Sequence, residues 1–152
     1  MKVVTLIVCL VVVGVVWLLV WPGLRDALDL SKAEESVRSV VQANQGFLRP
    51  IVEAGRCGEF GAGSWPLGEV VERVGRQPTS VPVSDGWGNP LLFWSDGFNC
   101  AVYSTGADDR LARRIEDVLT ELGPTKVDLK GDVIAVNGQM RQWPLGVRER
   151  VE

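Results

Sequence analysis

Three cysteines, Cys9, Cys57 and Cys100, carry the most reactive side chains of this sequence. Cys9 lies inside an apolar run, which leaves Cys57 and Cys100 as the pair that could form a disulfide in an oxidising compartment. That bond would close a loop of about 40 residues and stabilise the fold by roughly 3–4 kcal/mol. The glycine-rich stretch around Cys57 needs tethering, which favours the disulfide. Two free buried thiols in a reducing compartment are the alternative.

The sequence contains no histidine. This excludes catalytic triads that use histidine, histidine general bases and histidine metal ligands. No spacing of Ser, Cys, Lys, Asp and Glu suggests a nucleophile beside its base, so we expect a protein that is not an enzyme. The formal net charge of −3 predicts no attraction to nucleic acid or to anionic lipid through bulk electrostatics.

The elements that position these residues begin with an apolar run. Val3–Trp21 carries no charge, and as a helix it would span about 28 Å, close to the thickness of a bilayer core. Trp17 and Trp21 at its distal end are typical of a membrane interface. A cleaved signal peptide is the alternative, although its apolar core is usually shorter and residues 20–30 offer no small-x-small site. We predict a retained transmembrane anchor over residues 1–23.

Residues 24–54 are predicted to continue as an amphipathic helix that packs on a following sheet, with Pro50 breaking or kinking it. Its apolar stripe consists of Leu30, Ala33, Val37, Val40, Val41 and Phe47. Residues 55–66 are predicted to form a glycine-rich loop, Leu67–Val74 a short helix and Pro78–Val83 an extended linker.

A tight turn is predicted over Ser84–Pro90, because Gly86 and Gly88 can supply the positive φ angles that such turns need. We assign its structural role to Asp85, Trp87, Gly88, Asn89 and Pro90. A strand over Leu91–Trp94, a turn at Ser95–Gly97 and a strand from Cys100 follow. Trp65, Trp87, Trp94 and Trp143 could form a platform for peptide or glycan, but Trp87 in the turn and Trp94 on a strand are interpreted as core residues.

Residues 125–152 predict a C-terminal β-hairpin extension and a charged tail. The strands are Thr125–Leu129 and Val133–Val136, joined at Lys130–Asp132. Asn137-Gly138 is a strong turn signal ahead of a further strand over Gln139–Trp143.

The order of these pieces resembles the C-terminal domain of the major pseudopilin of type II secretion (general secretion pathway protein G). Members of that family carry Asp-Pro-Trp-Gly-Asn-Pro-Tyr and then Tyr-Ser-x-Gly-x-Asp-Gly. The matching residues here are Trp65–Gly68, Pro78–Pro82, Asp85–Pro90 and Tyr103–Asp108. The resemblance implies an α+β, pilin-like fold, in which a long N-terminal helix packs on a small antiparallel sheet and residues 55–124 form the globular domain.

The family's loop after Tyr-Ser-x-Gly holds calcium, and the resemblance places its carboxylates at Asp108, Glu116 and Asp117. The intervening arginines favour a helix instead, capped by Asp108 or Asp109 and ended by Gly123-Pro124. The apolar face of that helix would be Leu111, Ile115, Val118, Leu119 and Leu122.

The N-terminus departs from the family. Val3 stands where the family has the glycine of its peptidase site, and Val8 stands where it has a buried glutamate that registers neighbouring subunits. Both differences argue against filament assembly.

The resemblance implies a non-enzymatic, membrane-anchored structural subunit of a type II secretion or type IV pilus-like machine. It places the protein in the inner membrane with one span and the C-terminal domain in the periplasm, in contact with other pseudopilins, envelope proteins or copies of itself. Three basic residues after the span slightly favour the opposite orientation. The alternative, which Val3 and Val8 favour, is a stand-alone anchored envelope domain that binds a partner without polymerising.

Overall fold

The structure is a computed structural model that describes residues 2–75, 81–121, 123, 125–145 and 147, with side chains from residue 10 onward. Some of the residues covered by the sequence predictions lie outside the described ones: 78–80 of the expected linker, Leu122 and Pro124 at the end of the expected helix, and the tail from 148. The described chain is α+β, with a long N-terminal helix and a mostly antiparallel sheet.

Helix α1 runs from Lys2 to Ala43 and passes through Pro22. A π-helical turn, Asn44–Leu48, and α2, Arg49–Glu53, continue it. The expected break at Pro50 is absent, because the helix widens just before the proline: the Arg49 N–H donates to the Asn44 carbonyl, five residues earlier. Pro50 then occupies the first turn of α2, where proline is tolerated.

Short elements connect α2 to the sheet. A 3₁₀ helix over Arg56–Phe60 is followed by strand β1, Ala62–Pro66, and helix α3, Leu67–Arg73. The helix expected at Leu67–Val74 is confirmed, but the loop expected over residues 55–66 is wrong for its second half. Residues 62–66 form a strand because β2 offers them a complete antiparallel edge, with Ser64 opposite Trp94.

The remaining strands are β2 Leu92–Asp96, β3 Cys100–Ser104, β4 Thr125–Val127, β5 Val133–Val136 and β6 Gln139–Pro144. A second 3₁₀ turn, Gly106–Asp108, and helix α4, Ile115–Thr120, lie between β3 and β4. The strand order of the described sheet is β1-β2-β3-β5-β6-β4.

The hairpin predicted across Lys130–Asp132 is wrong. Both edges of β5 are occupied, by β3 on one side and β6 on the other, so β4 pairs with β6 instead, in parallel. The predicted turn at Asn137-Gly138 does join β5 to β6. Because β5 lies in the middle of the sheet, the expected boundary between residues 124 and 125 does not divide it.

Each face of the sheet carries a core. The larger core packs the C-terminal part of α1 and its extension on β2, β3 and β5; its helical members are Ala33, Val37, Val40, Ala43, Phe47, Leu48 and Ile51. The opposite core packs Ile115 and Val118 of α4 on Trp94, Tyr103 and Ile134. The second half of α1 is therefore part of the globular domain.

Candidate functional site

The N-terminal half of α1 is an apolar surface that the rest of the described protein leaves uncovered. From Leu10 to Trp21 its large apolar side chains expose between 47% and 76% of their area. Water is an unfavourable environment for so much contiguous apolar surface, whereas lipid is a favourable one. Within the described residues this is the one helix long and apolar enough to cross a membrane. Trp17 and Trp21 stack at its distal end, with ring centroids 4.9 Å apart.

Asp85 organises the turn that holds α1 against the sheet. Its Oδ1 accepts the backbone N–H groups of Trp87 (2.9 Å) and Asn89 (2.8 Å), and its Oδ2 accepts the hydroxyl of Ser104 (2.6 Å). The residue is only 5% exposed, so these three donors compensate for the water that the carboxylate has lost. Gly88 has φ +88°, as the turn requires.

Gly86 brings this turn into contact with α1. Its N–H donates to Ser36 Oγ (3.1 Å), and that hydroxyl donates to the Lys32 carbonyl (3.0 Å). The ammonium of Lys32 lies 5.1 Å from the centroid of the Trp87 ring, within range of a cation–π interaction. Gly86 was expected to supply a positive φ angle and does not. A Cβ at this position would lie 2.2 Å from the Lys32 oxygen, so close approach is what requires glycine.

The other side of the turn contacts the end of β3. The Asn89 side-chain amide donates to the Gly106 carbonyl (2.7 Å), and the Gly106 N–H donates to Ser104 Oγ (3.2 Å). Gly106 has φ +66°, and a Cβ there would lie 2.1 Å from the Lys130 carbonyl. We call Ser36, Asp85, Gly86, Asn89, Ser104 and Gly106 the Asp85 junction. Pro90 pairs with Ser84 at its base.

A disulfide joins Cys57 to Cys100, which confirms the sequence prediction. The two Cα atoms are 5.7 Å apart across a sequence separation of 43 residues. The bond ties the first 3₁₀ helix to β3, and the Ser95 hydroxyl reinforces it by donating to the Cys57 carbonyl (3.1 Å). The side chain of Cys9 lies outside the described part.

The three carboxylates that the resemblance assigned to calcium are placed in different local environments. Asp108 ends the second 3₁₀ turn and accepts the Arg110 N–H (3.1 Å). Glu116 and Asp117 lie in the first turn of α4, where Glu116 pairs with Arg114 at 3.7 Å. In the described ranges no three Asp, Glu, Cys or His side chains gather as a metal site.

The helix expected from Asp108 or Asp109 starts later, at Ile115. Asp109 adopts a left-handed conformation, with φ +53°, and the Ala112 N–H donates to the side chain of Asp132 (2.8 Å). These interactions hold residues 109–114 in a non-helical conformation, so α4 begins only after them. The predicted apolar positions Ile115 and Val118 are buried.

Asp132 is a buried carboxyl group that no pattern in the sequence marks. The residue is 1% exposed, and this burial raises its pKa to about 6. The hydrogen bond from the Ala112 N–H opposes that rise, whereas the negative charges of Asp108 and Asp128 add to it. No motif surrounds Asp132, so only its tertiary environment identifies it.

The tryptophans of the sheet domain do not form an exposed platform. Trp94 is 9% exposed, which confirms its expected core position, and Trp143 is also buried, at 3%. Trp87 is only half-buried, with Lys32 over its ring, so the core position expected for it is wrong, and Trp65 is half-buried as well. Phe98, which sequence reasoning overlooked, is an exposed aromatic of the sheet domain, at 90%. It lies in the β2–β3 turn, where Asp96 accepts the N–H groups of Phe98 (2.7 Å) and Asn99 (2.6 Å). These hydrogen bonds order the backbone of the turn, and the Phe98 ring projects from it into solvent.

The described features are an uncovered apolar helix, a buried carboxylate that ties the 84–90 turn to the sheet, and a disulfide that links β3 to the first 3₁₀ helix. In comparisons with known proteins, no family model, no curated protein and no solved structure matches the chain.

Proposed function

We propose that this protein is a non-enzymatic, membrane-anchored, pseudopilin-like structural subunit of a type II secretion or type IV pilus-like machine. The observation that carries the proposal is the continuity of α1. A single helix has an uncovered apolar half, suited to lipid, and a second half buried in the core of a sheet domain. The pilin-like plan implied by the sequence has this same order.

The Asp85 junction supports a structural role, because its hydrogen bonds link the domain half of α1, the 84–90 turn and the sheet. Ser36 and the Lys32 carbonyl on α1 contact Gly86, and Asp85 connects the same turn to Ser104 on the sheet. The second half of α1 is thus joined to the sheet by hydrogen bonds as well as by the apolar core.

The disulfide supports an extracytoplasmic position for the domain. Disulfides persist in oxidising compartments such as the periplasm and are rare in the cytosol. The Cys57–Cys100 bond therefore outweighs the small excess of basic residues after the span. We place the protein in the inner membrane, with residues from about 24 onward on the periplasmic side.

The alternative, a stand-alone anchored domain that binds an envelope protein without polymerising, is favoured by two observations. Val3 and Val8 replace the residues that a pseudopilin needs for processing and for subunit registration. Phe98 offers an exposed apolar ring in the β2–β3 turn, and the side-chain amide of Asn137 donates to Asn99 in the same turn.

The two functions differ in self-association within the membrane. We would replace Cys9 by Ser in the full-length chain, introduce Val13→Cys on the uncovered helix, and oxidise isolated membranes. Crosslinked dimers from Val13→Cys, together with larger products when a second cysteine is placed on the opposite helix face, would support a polymerising subunit. Gln45→Cys, on an exposed position of the domain, is the matched control. Monomers in every sample would favour the stand-alone domain, and a catalytic turnover abolished by one substitution would contradict both.

A further inference from the structure

A groove of about 790 Å³ lies between α1 and the sheet, close to where the apolar run ends. Trp21 and Pro22 line it from the helix, and Leu145, which is 57% exposed, lines it from the sheet domain. The turn Asp128–Lys130 closes one side. The groove thus has apolar walls on both the anchor and the domain.

The position of the groove relative to the span decides what can reach it. Arg25 lies one helical turn beyond Trp21, a rise of about 6 Å, and lines the groove. Tryptophan at the end of an apolar span marks the level where acyl chains give way to head groups. If α1 crosses a membrane as proposed above, the groove opens among the lipid head groups.

The groove carries charges of both signs. Lys130 pairs with Asp29 at 3.2 Å, so these two largely compensate each other. The other charged side chains that line the groove are the cation Arg25 and the anions Asp26 and Asp128. All three residues are exposed. The Lys130 N–H donates to Asp128 Oδ1 (3.0 Å), which holds that carboxylate in place. An anionic head group would meet two carboxylates, which disfavours it.

We propose that this groove binds the head group of a membrane aminophospholipid, with the phosphate on Arg25 and the primary ammonium on Asp26 and Asp128. Arginine forms charge-assisted hydrogen bonds with phosphate, and a primary ammonium donates hydrogen bonds to carboxylates. A quaternary choline has no N–H to donate, so the site discriminates against it. The side chains of Trp21 and Leu145 contact the glycerol and upper acyl region. This inference rests on the proposed membrane anchoring.

The test uses the full-length protein in nanodiscs that contain equal amounts of phosphatidylethanolamine, phosphatidylcholine and phosphatidylglycerol. Lipids that remain bound after release into the gas phase are identified by native mass spectrometry. We expect phosphatidylethanolamine to be retained several-fold over the other two. Arg25→Gln and the double variant Asp26→Asn/Asp128→Asn should each abolish that preference. Arg38→Gln is the matched control, because it removes the same charge from an exposed position of α1 outside the groove.

Each result has one meaning. Retention of the three lipids in proportion to their supply, or equal retention by all variants, would overturn the inference. Preference for phosphatidylglycerol would show an anionic-lipid site, and replacement of lipid by a second copy of the chain would show a protein interface; either would also overturn it. Failure of the wild-type chain to float with liposomes would instead refute the anchoring itself. An intact Cys57–Cys100 bond in each variant verifies that the fold is retained.

Discussion

Gly86 lies so close to Lys32 that a single added carbon would be 2.2 Å from the Lys32 carbonyl oxygen. The nearest atoms also include Glu35 Cβ, at 2.8 Å. The contact joins the 84–90 turn to α1, which continues into the anchor. Both partners are backbone atoms, so neither can move aside through a side-chain rotation.

Gly86→Ala is therefore expected to force the turn away from α1. We expect a loss of about 2–3 kcal/mol in the free energy of unfolding, typical of overpacking at a rigid contact. Denaturant unfolding of the detergent-solubilised protein measures it. Gly23→Ala is the control, since a Cβ there meets nothing within 4 Å and Gly23 is helical without a positive φ. Equal stability of Gly86→Ala and wild type would show that the turn does not hold the helix as described.

Asp85→Ala should destabilise the protein more than a surface substitution does, because it removes the acceptor of three donors. Leaving buried donors without partners costs about 1–3 kcal/mol for each such group. Ser104→Ala should cost less, and the two losses should not add, because both remove the same hydrogen bond. A double-mutant cycle measures that coupling, and strictly additive losses would contradict the junction. Asp117→Ala, on an exposed residue, is the control.

The disulfide links the first 3₁₀ helix to β3, and its removal tests how much this link stabilises the fold. Cys57→Ser/Cys100→Ser should lose roughly 3–4 kcal/mol of stability, the value of closing a loop of this size. In wild-type membranes both thiols should resist alkylation until a reductant is added. Immediate alkylation of both cysteines in native membranes would argue for a cytosolic domain and against the proposed orientation.

The carboxyl group of Asp132 predicts a pH dependence of stability. Burial raises its pKa to about 6 in the folded protein, from the ordinary value of 3.8. The folded state therefore binds this proton more tightly than the unfolded state does. Protonated Asp132 therefore adds to the free energy of unfolding. This contribution is fully present below the unfolded pKa of 3.8 and is lost as the pH rises through about 6. Asp108 and Asp128 face the group and strengthen the trend.

Asp132→Asn should flatten this dependence, by about 3 kcal/mol at most between pH 4 and pH 8. Unfolding curves across that range for the variant and the wild type provide the comparison. Asp117→Asn, which is exposed, should keep the wild-type profile. Parallel profiles for Asp132→Asn and wild type would mean that the group titrates alike in both states.

Phe98→Ser should leave stability within about 0.5 kcal/mol of wild type, since a 90% exposed side chain contributes little to the core. Phe93→Ala, fully buried between Phe47 and Phe60, should cost about 3–5 kcal/mol. Thermal unfolding of both variants tests the contrast. A large loss for Phe98→Ser would show that the ring packs on the protein instead of being presented to a partner.

The sequence by itself determined the features that depend on neighbouring residues. The uncharged run to Trp21, the apolar stripe from Leu30 to Phe47 and the Asn137-Gly138 turn follow from local hydropathy, periodicity and turn chemistry. The pairing of Cys57 with Cys100 followed from the exclusion of Cys9.

Only the tertiary structure decided the features that depend on which segments meet. The parallel pairing of β4 with β6, the strand at 62–66 and the late start of α4 each arise from a partner distant in sequence: β6, β2 and Asp132. The same holds for Gly86, whose backbone must approach Lys32, 54 residues earlier in the chain. The periodicity of a segment indicates which of its side chains are buried. Free strand edges, close backbone contacts and the burial of a carboxyl group arise only when distant segments pack together.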